Sequence, residues 1–405
     1  MRILSLSHTF PLPADSGSSL RIWNVARRLA ERHDLRLLSS GRPGRELSAT
    51  EIPAWLESLP PADFPPADLP LADLSRRARR QLTALFRGIP ASVQAHRSAA
   101  LAQRVSELVR AGWPEVAIAE EGSAAIELEL LPPSIPRVLV KHSVHAREVE
   151  ERARRTPWPR RPRLLLEQSI TRRYERRGIR QASAVVTVCE EDRRELVERY
   201  GAWDAVVAPN AVVVPNGCAE PGPPWKDPDR PRVGVLADFR WQPNRWELSW
   251  FLDRVRPRLI RSVPSLEIQI IGHPPDPPWP GPEMPDVQWL GRVDDVFAAL
   301  RACRVLALPV RYGSGIRNRL LDGLALGMPI VTTPLGMRGC ELEAGVDLEV
   351  AATAEAFAER LGALLTDPAT RRLRSRAALR AAGELTWKRG LQRLEAHLER
   401  MVAER

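Results

Sequence analysis

The chain has 405 residues, 44% of them hydrophobic, which suits two or three domains with sizeable cores and argues against wholesale disorder. The net charge of +10 invites an anionic partner, yet only 5% of residues are aromatic and they do not interleave with the basic ones, so a nucleic-acid stacking platform is not expected. No run of about 18 apolar residues occurs, which excludes an ordinary membrane-spanning helix.

"MRILSLS" predicts a buried strand over residues 1–7, and the short apolar run passes into polar residues with no small-residue cleavage site, so a cytoplasmic location is expected. The loop "HTFPLPADSG" follows, then an amphipathic helix from about Ser18 to Arg32 with Ile22, Val25, Ala26 and Leu29 on one face. "LRLLSS" is the next strand, which completes a β-loop-α-β unit and opens a Rossmann-like parallel sheet. The proline-rich "IPAWLESLPPADFPPADLPLADL" is expected to be a surface excursion. Strands are then expected at "VAIAE" (116–120), "RVLVKHS" (137–143) and "AVVTVC" (184–189), with helices between them.

"VVVPNGCAEPGPPWKDPDRPR" breaks the periodicity and reads as a linker over 213–230, between a first domain of 1–212 and a second of 231–385. The second domain repeats the alternation: strand "RVGVLADF", helix "RWELSWFLDRVRPRLIRSV", strands "LEIQIIG" and "VQWLG", a helix started by Asp294–Asp295, strand "RVLALPV", helix "RNRLLDGLALG" and strand "PIVTT". "LTWKRGLQRLEAHLERMVAER" closes the chain as an amphipathic helix carrying Leu391, Leu394, Leu398 and Met401 on one face.

The cysteines Cys189, Cys218, Cys303 and Cys340 are scattered, which fits small core residues better than a zinc site or disulfide framework. Nearly all the basic residues are arginine; the lysines are Lys141, Lys226 and Lys388. The clusters "LSRRARRQLTALFR" and "RARRTPWPRRPRLLLEQSITRRYERRGIR" each read as a solvated helix face, with weak attraction to phosphates or to an anionic membrane surface as the alternative.

The most specific local signal is "RYGSGIRNRLLDGLALGMPIVTTPLG" (311–336). Gly313 and Gly315 let a chain leaving a strand turn with its amides exposed, ahead of a helix N-terminus, which is how a phosphate cradle is built. This loop follows "FPLPADSGSSLRIWNVARRLAERHDLRLLS", "LADFRWQPNRWELSWFLDRVRPRL" and "VQWLGRVDDV" in order. Together the four segments resemble the family 4 glycosyltransferases of the GT-B fold, over nearly the whole chain.

The resemblance implies an α/β protein of two Rossmann-like parallel-sheet domains facing across a cleft, with the final helix 386–405 crossing back to the first domain near Trp387. It implies a nucleoside diphosphate sugar bound mostly by the second domain, transferred to an acceptor hydroxyl with retention of configuration and no bound metal or further cofactor. Asp322 matches the acidic residue that binds the ribose hydroxyls. Ser314 stands where the family carries a glutamate, as in a subgroup reading Gly-x-Gly-x-Arg-x-basic, which makes Arg317 and Arg319 diphosphate ligands beside the loop amides of Gly313 and Gly315. Arg240 and Arg245 lie near the family's other phosphate-binding positions, and Asn244 reads as a helix cap. In the first domain Gly17 matches the glycine whose tight turn lets amides approach the donor; Ser18 replaces a second glycine and either hydrogen-bonds through its hydroxyl or caps the helix. Arg21 matches a family arginine, and His142 ends the strand that reaches the sugar, while His145 departs from the family's glutamate. The acceptor carries no readable motif. A role in cell-surface polysaccharide or glycolipid synthesis is expected, with a catalytically silent binding subunit or a nucleotide-sugar epimerase as rival readings.

Overall fold

The computed structural model describes all residues except 15, 44–46, 49, 61–86, 201–210, 214, 219–222, 276–283 and 405; the first arginine cluster and much of the proline-rich excursion lie outside the described residues. The chain divides into two units. Unit 1 comprises Met1–Val214, Gly313–Gly315 and Leu391–Arg405, and unit 2 comprises Pro215–Tyr312 and Ile316–Gly390.

In unit 1 the described strands are β1 (Arg2–Ser7), β2 (Asp34–Ser39), β3 (Leu56–Ser58), β4 (Val116–Ala119), β5 (Arg137–Lys141), β6 (Ala184–Thr187) and β7 (Ala211–Val213). They form one parallel sheet in the order β3-β2-β1-β4-β5-β6-β7. The central strands read as continuous apolar runs because helices cover both faces of a parallel sheet; all four residues of β4 are buried. Helix Gly17–Ala30 buries Ile22, Val25, Ala26 and Leu29, the expected face. Its cap is Ser16 rather than Ser18: the Ser16 side chain accepts from Ser19 N–H, and the Ser19 side chain returns the bond. The expected excursion contributes β3, which pairs with β2 through Leu37 and Leu56.

Unit 2 holds β8 (Arg232–Leu236), β9 (Glu267–Ile271), β10 (Val287–Gly291), β11 (Val305–Leu308), β12 (Ile330–Thr332) and β13 (Glu349–Val350), parallel in the order β10-β9-β8-β11-β12-β13. Alternate residues of β11 serve two cores: Val305 and Ala307 pack with Phe251 and Phe357, Leu306 and Leu308 with Leu320 and Leu324. The helix expected as one piece over 245–263 is two, Gln242–Trp250 and Arg256–Ser262, joined by a π-helical turn over Phe251–Val255. Pro257 explains the interruption, since it cannot donate to the helical ladder. The stretch expected as a linker is not wholly solvated. Trp225 is buried, its backbone N–H donating to Leu326 O and its indole N–H to Cys303 O, both at 2.8 Å. Cys189 and Cys303 are buried, Cys218 and Cys340 half-buried, and none of the four is in a disulfide.

Within the last helix, Trp387–Ala403, the chain passes from unit 2 into unit 1. There Leu391, Leu394 and Leu398 are buried, and Arg32 Nη1 donates to the buried Glu395 at 2.6 Å.

Candidate active site

Each sheet reverses its strand order once, between β1 and β4 in unit 1 and between β8 and β11 in unit 2. Ligands in open α/β sheets bind outside the carboxyl ends of the strands at such a point, because the flanking connections leave in opposite directions and open a crevice. The residues after these four strands are therefore the ones to inspect.

In unit 1 they line a cavity of about 320 Å³. His8 follows β1, Glu121 follows β4, Lys141 ends β5 and His142 follows it; Ser18, His96 and Thr171 also line it. His8 stacks on His96 with ring centroids 5.5 Å apart, and its Nε2 lies 3.1 Å from Glu127 Oε1. Burial lowers His96, and the His8 charge adds to the effect. Glu121 accepts from His8 N–H at 3.0 Å and from the hydroxyls of Ser7 and Thr9 at 3.2 and 3.0 Å. Lys141 forms a buried ion pair with Glu175. Thr171 Oγ1 is buried with no hydrogen-bond partner among the described residues.

His142 follows β5, with Nδ1 3.4 Å from Ser18 Oγ. Burial pulls it down to about 3, helped by the charges of Arg21 and Lys141, so at neutral pH the ring is uncharged. Arg21 is buried on helix Gly17–Ala30 beside Glu120, and burial moves the two in opposite senses, Arg21 down to about 10 and Glu120 up to about 7. Ser5 Oγ donates to Glu120 Oε1 at 2.8 Å. Gly17 is the first residue of that helix.

The Gly313–Gly315 turn has φ of 92° and 76° at its glycines, angles that other residues adopt only under strain. A Cβ at Gly315 would sit 2.6 Å from His142 O, so this position also requires the missing side chain. Ser314 is buried, and its Oγ accepts from Val144 N–H at 3.1 Å. That hydroxyl cannot replace the chemistry of a glutamate, being neutral and already engaged.

In unit 2 helix Asn318–Leu326 follows β11 and is stopped by Gly327 in the left-handed conformation. Arg319 Nη2 donates to the buried Glu247 at 2.8 Å, and Glu247 also accepts from Arg311 N–H at 2.9 Å. Arg317 Nη2 donates to Tyr312 O at 2.9 Å. After β8, Arg240 clasps Asp238 with contacts of 2.7 to 3.2 Å. Asn244 is inside helix Gln242–Trp250 rather than its cap; it donates to Asp238 O at 2.7 Å. Asp295 does cap its helix, accepting from Ala298 N–H at 2.8 Å. The candidate phosphate arginines are thus oriented by fixed partners, and Glu247, which sequence reasoning missed, holds both Arg319 and the backbone entering the glycine turn.

Asp322 lies on the first turns of helix Asn318–Leu326, and burial raises it to about 7. Its charge reaches Cys218, whose thiol burial lifts to about 12. Asn216 Nδ2 donates to Asn318 Oδ1 at 2.8 Å, so the "PNG" segment runs along the start of this helix. Without ligand, Asp322 favours the folded state most below about pH 4 and loses that contribution as pH rises through about 7. A carboxylate accepting two ribose hydroxyls must be ionised, so nucleotide affinity should rise with pH across the same interval. Asp322→Ala should lose roughly 1.5–3 kcal/mol of nucleotide binding and flatten the pH profile. Calorimetry on both proteins at pH 6 and 8 checks this; equal affinities remove Asp322 from the site.

Among the described residues no three His, Cys, Asp or Glu side chains gather to hold a metal ion, and no helix is long and apolar enough to cross a membrane. Residues 16–219 match the family model for Glycosyltransferase Family 4, and residues 230–367 that for Glycosyl transferases group 1. The chain is similar to the solved sucrose-phosphate synthase from Thermosynechococcus elongatus, at 14% identity and a TM-score of 0.71 over 100% of both chains. It is similar to Anabaena HepE in complex with UDP, at 14% identity and a TM-score of 0.66, over 98% of this chain and 100% of that one. A third likeness is to the lipopolysaccharide outer core galactosyltransferase WaaB, at 12% identity and a TM-score of 0.60, over 99% and 100% of the two chains. No curated protein matches.

Proposed function

The chain belongs to glycosyltransferase family 4, and from that membership we propose a retaining enzyme that uses a nucleoside diphosphate sugar without a bound metal, in cell-surface polysaccharide or glycolipid synthesis. The observation that carries the reading is the glycine turn after β11, leading into a helix that presents Arg317, Arg319 and Asp322 within two turns. Helix N-terminal amides and arginines stabilise the charge that grows on the leaving diphosphate, and a carboxylate one turn further takes the ribose. HepE binds UDP, and HepE has also been solved with UDP-glucose, so UDP-sugars are the first donors to test. WaaB, acting on lipopolysaccharide, supports a cell-surface product.

The acceptor belongs to the cavity in unit 1. Lys141 is paired with Glu175 and Glu121 accepts three hydrogen bonds, while hydroxyl-bearing residues and the uncharged His142 ring line the space. This suits an uncharged, hydroxyl-bearing group rather than a phosphate. His142, uncharged and just after β5, sits where it can orient a sugar without repelling an oxocarbenium-like centre. A cytoplasmic location with peripheral contact to the inner face of an anionic membrane is part of the same proposal.

Transfer is tested by incubating the protein with a panel of UDP-sugars and neutral glycan acceptors and reading the anomeric configuration of the product. Activity should persist in excess EDTA; its loss there overturns metal independence. The rival reading, a silent subunit, draws on Ser314 in the place of a glutamate, and it predicts nucleotide binding with neither transfer nor donor hydrolysis.

A further inference from the structure

Helices His145–Arg155 and Arg161–Gln181 form an antiparallel hairpin. Arg152 Nη2 donates to Glu167 Oε1 at 2.6 Å towards its tip, and the N–H groups of His145 and Ala146 donate to Glu175 at its base, at 3.0 and 3.1 Å. Glu175 also bonds Lys141, the last residue of β5, so position 175 is level with the carboxyl edge of the sheet. The remainder of the second helix, 175–181, descends to the start of β6 at the other edge. Residues 161–175 therefore carry the tip about 20 Å beyond the carboxyl edge, at ~1.5 Å per residue. The 320 Å³ cavity lies at that same edge.

The tip combines two properties that a protein in water avoids together. Trp158 is 78% exposed, and Leu165 and Leu166 are 47% and 45% exposed. From Arg152 to Leu166 the chain carries six arginines and no acidic residue. Arg154, Arg155, Arg160, Arg161 and Arg163 are all exposed. An aromatic ring and paired leucines gain from entering the headgroup boundary, while arginines gain from anionic headgroups at the same depth. Nucleic acid has a use for the ring and the arginines but none for the leucines.

We propose that this tip, with Trp158, Leu165 and Leu166 inserted and the arginines around them, docks unit 1 on an anionic lipid surface, so that the cavity meets an acceptor held in the membrane. The acceptor clause rests on the transfer reading above; the docking deepens the peripheral membrane contact proposed with it and is tested apart from transfer.

The full-length protein is sedimented with phosphatidylcholine vesicles and with vesicles containing phosphatidylglycerol. It should bind only the anionic ones, with binding falling at high salt. The variant Trp158→Ala/Leu165→Ser/Leu166→Ser should bind at least about tenfold less, the loss of roughly three inserted side chains, with an unchanged melting temperature. The variant Arg160→Gln/Arg161→Gln/Arg163→Gln should weaken binding and shrink its salt dependence. No vesicle binding, equal binding to neutral vesicles, or wild-type binding by both variants overturns the docking, as does binding of RNA in place of vesicles. Because vesicle binding needs no donor, failure of all sugar transfer with docking intact counts only against the transfer reading. Docking that is lost in the variants while transfer to a soluble neutral acceptor continues supports both.

Discussion

Lys141→Met is expected to destabilise unit 1 by about 3–5 kcal/mol, because it leaves Glu175 buried without its counter-charge. Glu175 is the junction of three elements. It takes Lys141 from β5, the N–H groups of His145 and Ala146 from the first turn of their helix, and Tyr200 OH at 2.8 Å from helix Glu190–Tyr200. Burial pushes its carboxyl up, but the Lys141 charge and these hydrogen bonds outweigh burial and hold it below the ordinary glutamate range. The stabilisation is therefore full above about pH 4.5 and fades as pH falls through the lowered value. In the variant the carboxyl loses that support and protonates more readily, so the gap between variant and wild type should narrow towards pH 5. Adding Glu175→Gln should recover part of the loss, since a neutral side chain no longer requires a cation. Urea midpoints at pH 5 and 7.5 measure all three proteins. A single-variant loss below about 1 kcal/mol would mean that the pair is solvated and dispensable.

Removing residues 391–405 should abolish transfer and unfold unit 1 or lower its melting temperature by many degrees. The segment buries Leu391, Leu394 and Leu398 in that unit and supplies Glu395 to Arg32. Truncating one such leucine typically costs about 2–5 kcal/mol, a large part of the stability of an ordinary domain, and the deletion removes three. Leu394→Ala, which keeps the helix, should show the single-residue cost in a chemical melt. Should the deletion protein keep both its melting temperature and its activity, the segment is an accessory rather than part of the core of unit 1.

The sequence by itself determined the elements whose signal lies within a dozen neighbouring residues. A parallel strand buried on both faces must be continuously apolar, so β1, β4, β5, β8, β9 and β11 were readable, and "VQWLG" coincides with β10 residue for residue. Gly313 and Gly315 were readable because only glycine adopts their backbone angles freely. Strands β3 and β13 were not, since pairing with a neighbour makes two or three residues a strand and periodicity cannot. The cap of the first helix was misplaced by two residues because "DSGSS" offers several hydroxyls, and only the backbone turn selects Ser16. The cavity was invisible: His8, His96, Lys141 and Glu175 each stand in unremarkable local sequence, and the sheet order brings them together. The same holds for Glu247, an ordinary helix residue until the fold sets it against Arg319. Local backbone preference and burial act between neighbours and leave a pattern in the chain, whereas ion pairing and cavity lining act through space between residues far apart in it, and only the tertiary structure decides those.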